Sequence, residues 1–121
     1  MDTPQQILDR LLSFGVRGTR VSRGANQSEH AAAELERTAT YPAVNYAEAM
    51  QAETRTAHYL RLKTAFHQLQ QASLWLKMAA ELNAHSDAPA LYAESRELLA
   101  MFARNVRVAR ANSRREKRRA S

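Results

Sequence analysis

Cysteine is absent from the 121 residues, which removes disulfides, thiolate zinc sites and cysteine nucleophiles. Glycine and proline number three each, too few to punctuate a protein built of many turns. The β-branched residues are scattered rather than alternating, so strands have no pattern to stand on. Large aromatics are scarce too, with three Phe and one Trp, and alanine inflates the 45% hydrophobic content. The core predicted from this composition is modest, which favours help from a second copy or a partner. No apolar run approaches the roughly 20 residues that span a bilayer. The start, MDTPQQILDRLL, has neither the basic lead nor the continuous apolar stretch of a secretory signal. These absences predict a cytoplasmic protein without membrane insertion.

Recognisable catalytic and ligand motifs are missing as well. The sequence contains no glycine-rich phosphate loop, no G-x-S-x-G turn and no dense carboxylate cluster. Its four histidines, His30, His58, His67 and His85, form no HExxH motif, no Glu-x-x-His pair and no pair of histidines at i and i+4. The expectation is a non-enzymatic protein with no cofactor, no metal and no catalytic residue. The sequon Asn26-Gln27-Ser28 has meaning only in a secretory compartment.

What remains is helical, all-α material. Thr3-Pro4-Gln5-Gln6 is a helix start, with Thr3 placed to cap, Pro4 in the first turn and Gln6 where a capping-box side chain reaches back. Ile7, Leu8, Leu11 and Leu12 share a face, and Gly15 offers a stop, which predicts a short amphipathic helix over about 4–14. From Val16 to Ala43 no apolar stripe is visible. Arg17, Arg20, Arg23, Gly18, Gly24 and Asn26 fill this stretch, and the expectation is a mobile linker with at most transient helix over 29–37. Tyr41-Pro42 marks a boundary, because proline pushes its predecessor out of the helical region.

Residues 46–83 hold a long helical signal. Leu62, Phe66, Leu69, Leu76 and Ala80 follow three-and-four spacing, filled in by Ala65, Ala72 and Ala79, and Trp75, Met78 and Leu82 widen the face. One continuous helix here would be about 57 Å long. Asn83 to Pro89 reads as a tight connection with Ser86 and Asp87 as capping candidates, and Leu91, Leu98, Phe102, Val106 and Ala109 line a further helix. The predicted architecture is a long antiparallel helical hairpin over 46–112. A short helix and flexible linker (1–45) precede it and a basic tail (113–121) follows. Two helices leave their apolar stripes open, to be closed either by the N-terminal helix or by a second hairpin. The long linker weakens any obligation for 4–14 to dock in the same chain, which favours completing a four-helix bundle by dimerisation.

Charge is the most uneven property of the chain. From Arg104 onward there are eight basic residues, Arg104, Arg107, Arg110, Arg114, Arg115, Lys117, Arg118 and Arg119, against one acid, Glu116. The formal net charge of the whole chain is +6, so everything before Arg104 is close to neutral. Such asymmetry bears on partners. If the last helix continues past Asn112, all of these cations but Arg119 gather on the side largely away from Leu98, Phe102, Val106 and Ala109, an arrangement suited to a phosphate backbone. Asn and Gln that read bases are sparse there, so little sequence preference is expected.

The first functional expectation is therefore nucleic-acid binding by a small, dimeric helical protein. The alternative is a protein-interaction adaptor, such as an export chaperone, assembly factor or small inhibitor. Ile7, Leu8, Leu11 and Leu12 would then dock as a helix in a partner's groove, and Phe66 and Trp75 would serve as interface anchors.

Overall fold

The computed structural model describes residues 2–120, and these form four helices with no strand among the described residues: α1 (Pro4–Ser22), α2 (Glu29–Met50), α3 (Arg55–Glu81) and α4 (Ala88–Ala120). Successive helices run in opposite directions. Gly15 lies against Thr40 between α1 and α2, and Asn45 against Gln68 between α2 and α3. Lys77 meets Tyr92 at one end of α3 and α4, and Thr56 meets Ser113 at the other. Arg10 and Arg17 of α1 reach Glu94 and Asp87, which brings α1 back to α4 and closes the layer. The apolar stripes that the sequence reading left open on α3 and α4 are thus covered by α1 and α2 of the same chain.

Each helix begins where the chain can satisfy its first free N–H groups. Thr3 and Gln6 form the expected capping box, with Thr3 Oγ1 accepting from Gln6 N at 3.2 Å and Thr3 N donating to Gln6 Oε1 at 2.8 Å. Gly15 does not stop α1. It sits mid-helix beside Gly18, and these two residues let α2 approach so closely that a Cβ on Gly18 would stand 2.4 Å from the Ala39 Cβ. Ile7, Leu11, Phe14 and Val21 of α1 are buried, each large side chain contributing roughly 1.5–3 kcal/mol by leaving water.

The stretch 16–43, expected as a linker, is instead the last seven residues of α1, a short connection and most of α2. α2 starts at Ser28, whose Oγ accepts from Ala31 N at 3.0 Å. It buries Leu35, Thr38, Ala39, Pro42, Ala43, Tyr46 and Ala49. Its packing face is built mainly of small residues, which carry little hydropathy signal but allow close approach. Pro42 lies inside this helix, fully buried, where burial outweighs the hydrogen bond that its missing N–H forgoes.

The single helix expected over 46–83 is two helices. α2 ends at Gln51, and Thr54 starts α3 by accepting from Ala57 N at 3.0 Å. His58 Nδ1 lies 2.8 Å from the Ala49 carbonyl oxygen and ties the two helix ends together. At the opposite end of the bundle the 23–28 and 82–87 connections interlock. Ala25 N donates to the Ala84 carbonyl at 2.9 Å, and Asn26 and Asn83 hold left-handed φ of 64° and 52°. A Cβ on Gly24 would lie 2.0 Å from that carbonyl oxygen, so only glycine fits there.

The core runs through Leu62, Leu69, Leu76, Leu91, Leu98 and Phe102, joined edge to face by Tyr46 on Phe102 at 5.7 Å. Asn45 and Gln68 bury a 2.9 Å side-chain hydrogen bond among these apolar groups. Every buried side-chain nitrogen or oxygen among the described residues has a partner, as a polar group in such a core requires. Among the described residues no helix is long and apolar enough to cross a membrane.

Candidate nucleic-acid interface

α4 carries two interleaved stripes at three-and-four spacing. Leu91, Ser95, Leu98, Phe102, Ala109 and Ser113 are buried against the bundle. Arg104, Arg107, Arg110 and Arg114 follow the same period, displaced to the outer side, and all eight basic residues from Arg104 to Arg119 are exposed. The stretch 113–120, expected as a tail, continues the helix, so these cations are held on one rigid rod of about 50 Å.

Glu116 is the only acid in this stretch, and it faces inward. Its carboxylate accepts from Arg55 N at 2.7 Å and Thr56 N at 3.2 Å, capping α3 from a different helix. With Thr54 satisfying Ala57, the first N–H groups of α3 all find partners. The hydrogen bond from Arg55 N, helped by that from Thr56, holds the Glu116 carboxyl below the usual glutamate range. The negative charge is thereby turned away from the cations beside it.

Of the ten basic residues before Arg104, four are paired with acids among the described residues. Arg10 donates to both Glu94 oxygens, at 2.7 and 3.1 Å, and also reaches Asp2 and Glu97. Its guanidinium pKa is raised, first by the Glu94 hydrogen bond. Arg17 holds Asp87, Arg37 holds Glu34, and Arg61 holds Glu48. By contrast Arg104, Arg107, Arg110, Arg114, Arg115, Lys117 and Arg119 make no ion pair among the described residues.

The other expected site residues are spread over the molecule. Ile7 and Leu11 are buried in the chain's own core, Leu8, Phe66 and Trp75 are partly buried against it, and Leu12 is 52% exposed. Trp75 meets His30 edge to face at 5.9 Å. His85 Nδ1 accepts from Asp87 N at 3.0 Å, and no group of three His, Cys, Asp or Glu among the described residues could hold a metal ion.

The flank of the basic stripe is built jointly by α3 and α4 and so leaves no mark in the periodicity of either helix alone. Tyr59, Lys63, Phe66 and His67 of α3 line a groove of about 320 Å³ with Ala103, Val106, Arg107 and Arg110 of α4. A signal for it was available, since residues 55–80 contain four Lys or Arg and no Asp or Glu. Asn105 and Asn112 line an open concavity with Tyr46, His58, Leu62 and Val108, and Asn105 also shares a second one with Arg104. No protein-family model, curated protein or solved structure matches this chain.

Proposed function

We propose that this protein binds nucleic acid through the phosphate backbone, with little sequence preference, by the outer face of α4 from Arg104 to Arg119. The observation that carries the reading is the segregation of charge on one helix. Arg104, Arg107, Arg110, Arg114, Arg115, Lys117 and Arg119 project outward with no ion pair among the described residues, while Glu116, the one acid among them, is spent on the α3 N-terminus. A row of exposed guanidinium groups exchanges condensed counterions for phosphate contacts, which gives affinity without reading bases. The segment offers only two asparagines, Asn105 and Asn112, both partly buried, which fits weak sequence preference.

The test is salt dependence. With about five phosphate contacts, log affinity for a duplex falls against log salt with a slope near −4.5, at about −0.9 per contact. Replacing Arg110, Arg114, Arg115 and Arg119 together with Gln flattens that slope by roughly 3 to 4 and leaves helix content unchanged, because all four side chains are exposed. An unchanged slope, or no binding by the parent protein at low salt, overturns the reading.

A second reading, a protein-docking adaptor or a homodimer, is favoured by a strip along the end of α3 and its C-cap residue Leu82. Leu74, Met78 and Leu82 are 66%, 44% and 48% exposed at successive four-residue steps, beside partly buried Trp75. Exposed apolar side chains in such a row are the usual mark of a docking face. Sedimentation separates the readings, because a dimer or a stoichiometric protein complex that Met78→Lys dissolves supports this strip.

A further inference from the structure

We propose that the groove between α3 and α4 takes a single-stranded nucleic acid in preference to a duplex, with unstacked bases lying on its aromatic side chains; this rests on the phosphate-binding reading of α4. Tyr59 and Phe66 are seven residues apart on α3, two turns and about 10.5 Å along one face. Both are partly buried against the core, which fixes their rings while leaving part of each in the groove. On the α4 side the groove is walled by Ala103 and Val106. The short side chain of Ala103 leaves room for a flat ring.

Cations border this apolar wall. Lys63 lies between the two aromatics, its Nζ 6.0 Å from the Tyr59 ring centre, and Arg107 and Arg110 stand opposite. The same valley continues through Phe66, Ala103 and Ala100 to Arg96 in a second concavity of about 330 Å³. Farther along α3 and α4, Lys77 sits 5.3 Å from the Tyr92 ring. No acidic side chain lines either concavity. From residue 59 to residue 70 the two concavities run about 17 Å along α3, enough for a few nucleotides.

Aromatic rings alternating with cations along a groove are what a single strand requires. Each base offers a π face to a ring and each phosphate finds a positive charge. A duplex hides its base faces in its own stack, so it meets only the cations. The outer arginines therefore serve either form, while Tyr59 and Phe66 add affinity for the unpaired strand alone.

The probe is a fifteen-residue oligothymidine against a fifteen-base-pair duplex, compared by fluorescence anisotropy at equal salt. The single strand is expected to bind about tenfold tighter or better. Tyr59→Leu and Phe66→Leu are each expected to weaken it about tenfold while changing duplex affinity less than twofold. If Phe66→Leu loses helix content, Tyr59→Leu and Lys63→Gln decide the matter. Equal binding of the two forms, unaffected by these changes, overturns the groove and leaves the α4 reading standing. Tighter single-strand binding that survives the variants places the strand elsewhere and also overturns the groove. Binding of neither form at low salt overturns the α4 reading and the groove with it.

Discussion

Arg17 holds Asp87 through two parallel hydrogen bonds, Nε to Oδ2 and Nη2 to Oδ1, both at 2.8 Å. The pair fastens the middle of α1 to the residue just before α4, seventy positions away in sequence. Its hydrogen bond from Arg17 is the first cause that depresses the Asp87 carboxyl below the usual carboxylate range. The Arg17 guanidinium is raised by the same bond. A bidentate, partly exposed pair of this kind contributes about 1 kcal/mol.

The sign of its pH dependence follows. A depressed folded-state pKa means the stabilisation is complete above the unfolded value and is lost as pH falls through the folded one, below about pH 4. Arg17→Ala is expected to lower Tm at pH 7 by about 4 °C and to shrink the further fall between pH 5 and pH 2. Thermal melts across that range, with Asp87→Asn alongside, check it. A variant whose acid profile matches the parent's would show that the pair contributes nothing.

The α1–α2 contact depends on a missing side chain. Gly18→Ala gains about 1 kcal/mol of helix propensity but drives its methyl into that of Ala39, 2.4 Å away. Overpacking at a fixed helix crossing costs about 1–3 kcal/mol, so the expected net effect is destabilisation by about 1 kcal/mol. Ala39→Gly in the Gly18→Ala background is expected to recover part of it, giving a positive coupling in a double-mutant cycle by urea denaturation. At Gly24 the obstacle is the Ala84 carbonyl oxygen, a backbone atom, and Gly24→Ala is expected to cost more than Gly18→Ala.

Removing the cap on α3 is expected to act locally. Glu116→Ala takes the acceptor from Arg55 N and Thr56 N, so hydrogen exchange of those two amides should accelerate at least tenfold relative to the α3 centre. The last turns of α4 should fray with them. Glu116→Gln, which keeps an acceptor oxygen, should restore part of the protection. Unchanged exchange at Arg55 and Thr56 in the alanine variant would refute the cap.

Helix across 16–43 carries its own signature. Val21, Leu35 and Ala39 are fully buried, so their amides should exchange as slowly as those of Leu69 and Leu76. Fast exchange should be confined to 23–28 and 51–54, and limited proteolysis should favour Arg23 over Arg17 and Arg20. Uniformly fast exchange over 16–43 would contradict the packing of α2.

Much of this protein is local chemistry and could be read residue by residue. Too few glycines and prolines, no alternation and repeated three-and-four spacing specify helix. The Thr3-Gln6 capping box needs only four neighbouring residues, and it forms as written. Leu62, Leu69, Leu76, Leu91, Leu98 and Phe102 are buried where their periodicity places them, because a large apolar side chain gains the same free energy from leaving water whatever covers it. The outward stripe of arginines on α4 follows from the same period once the helix persists.

Persistence and partnership were decided in three dimensions. Nothing local distinguishes Gly15 as a stop from Gly15 as a contact; the approach of Ala39 and Thr40 does. Pro42 would end an isolated helix, yet it stays inside α2 because α2 is buried along that side. The break after Met50 has a local mark in Thr54, but the carboxylate that completes the α3 cap comes from Glu116, sixty positions downstream. The α3–α4 groove likewise joins residues some forty positions apart. Propensity and capping act over a few residues and leave their mark in the sequence, whereas close approach, shared caps and grooves depend on which surfaces meet, and only packing settles that.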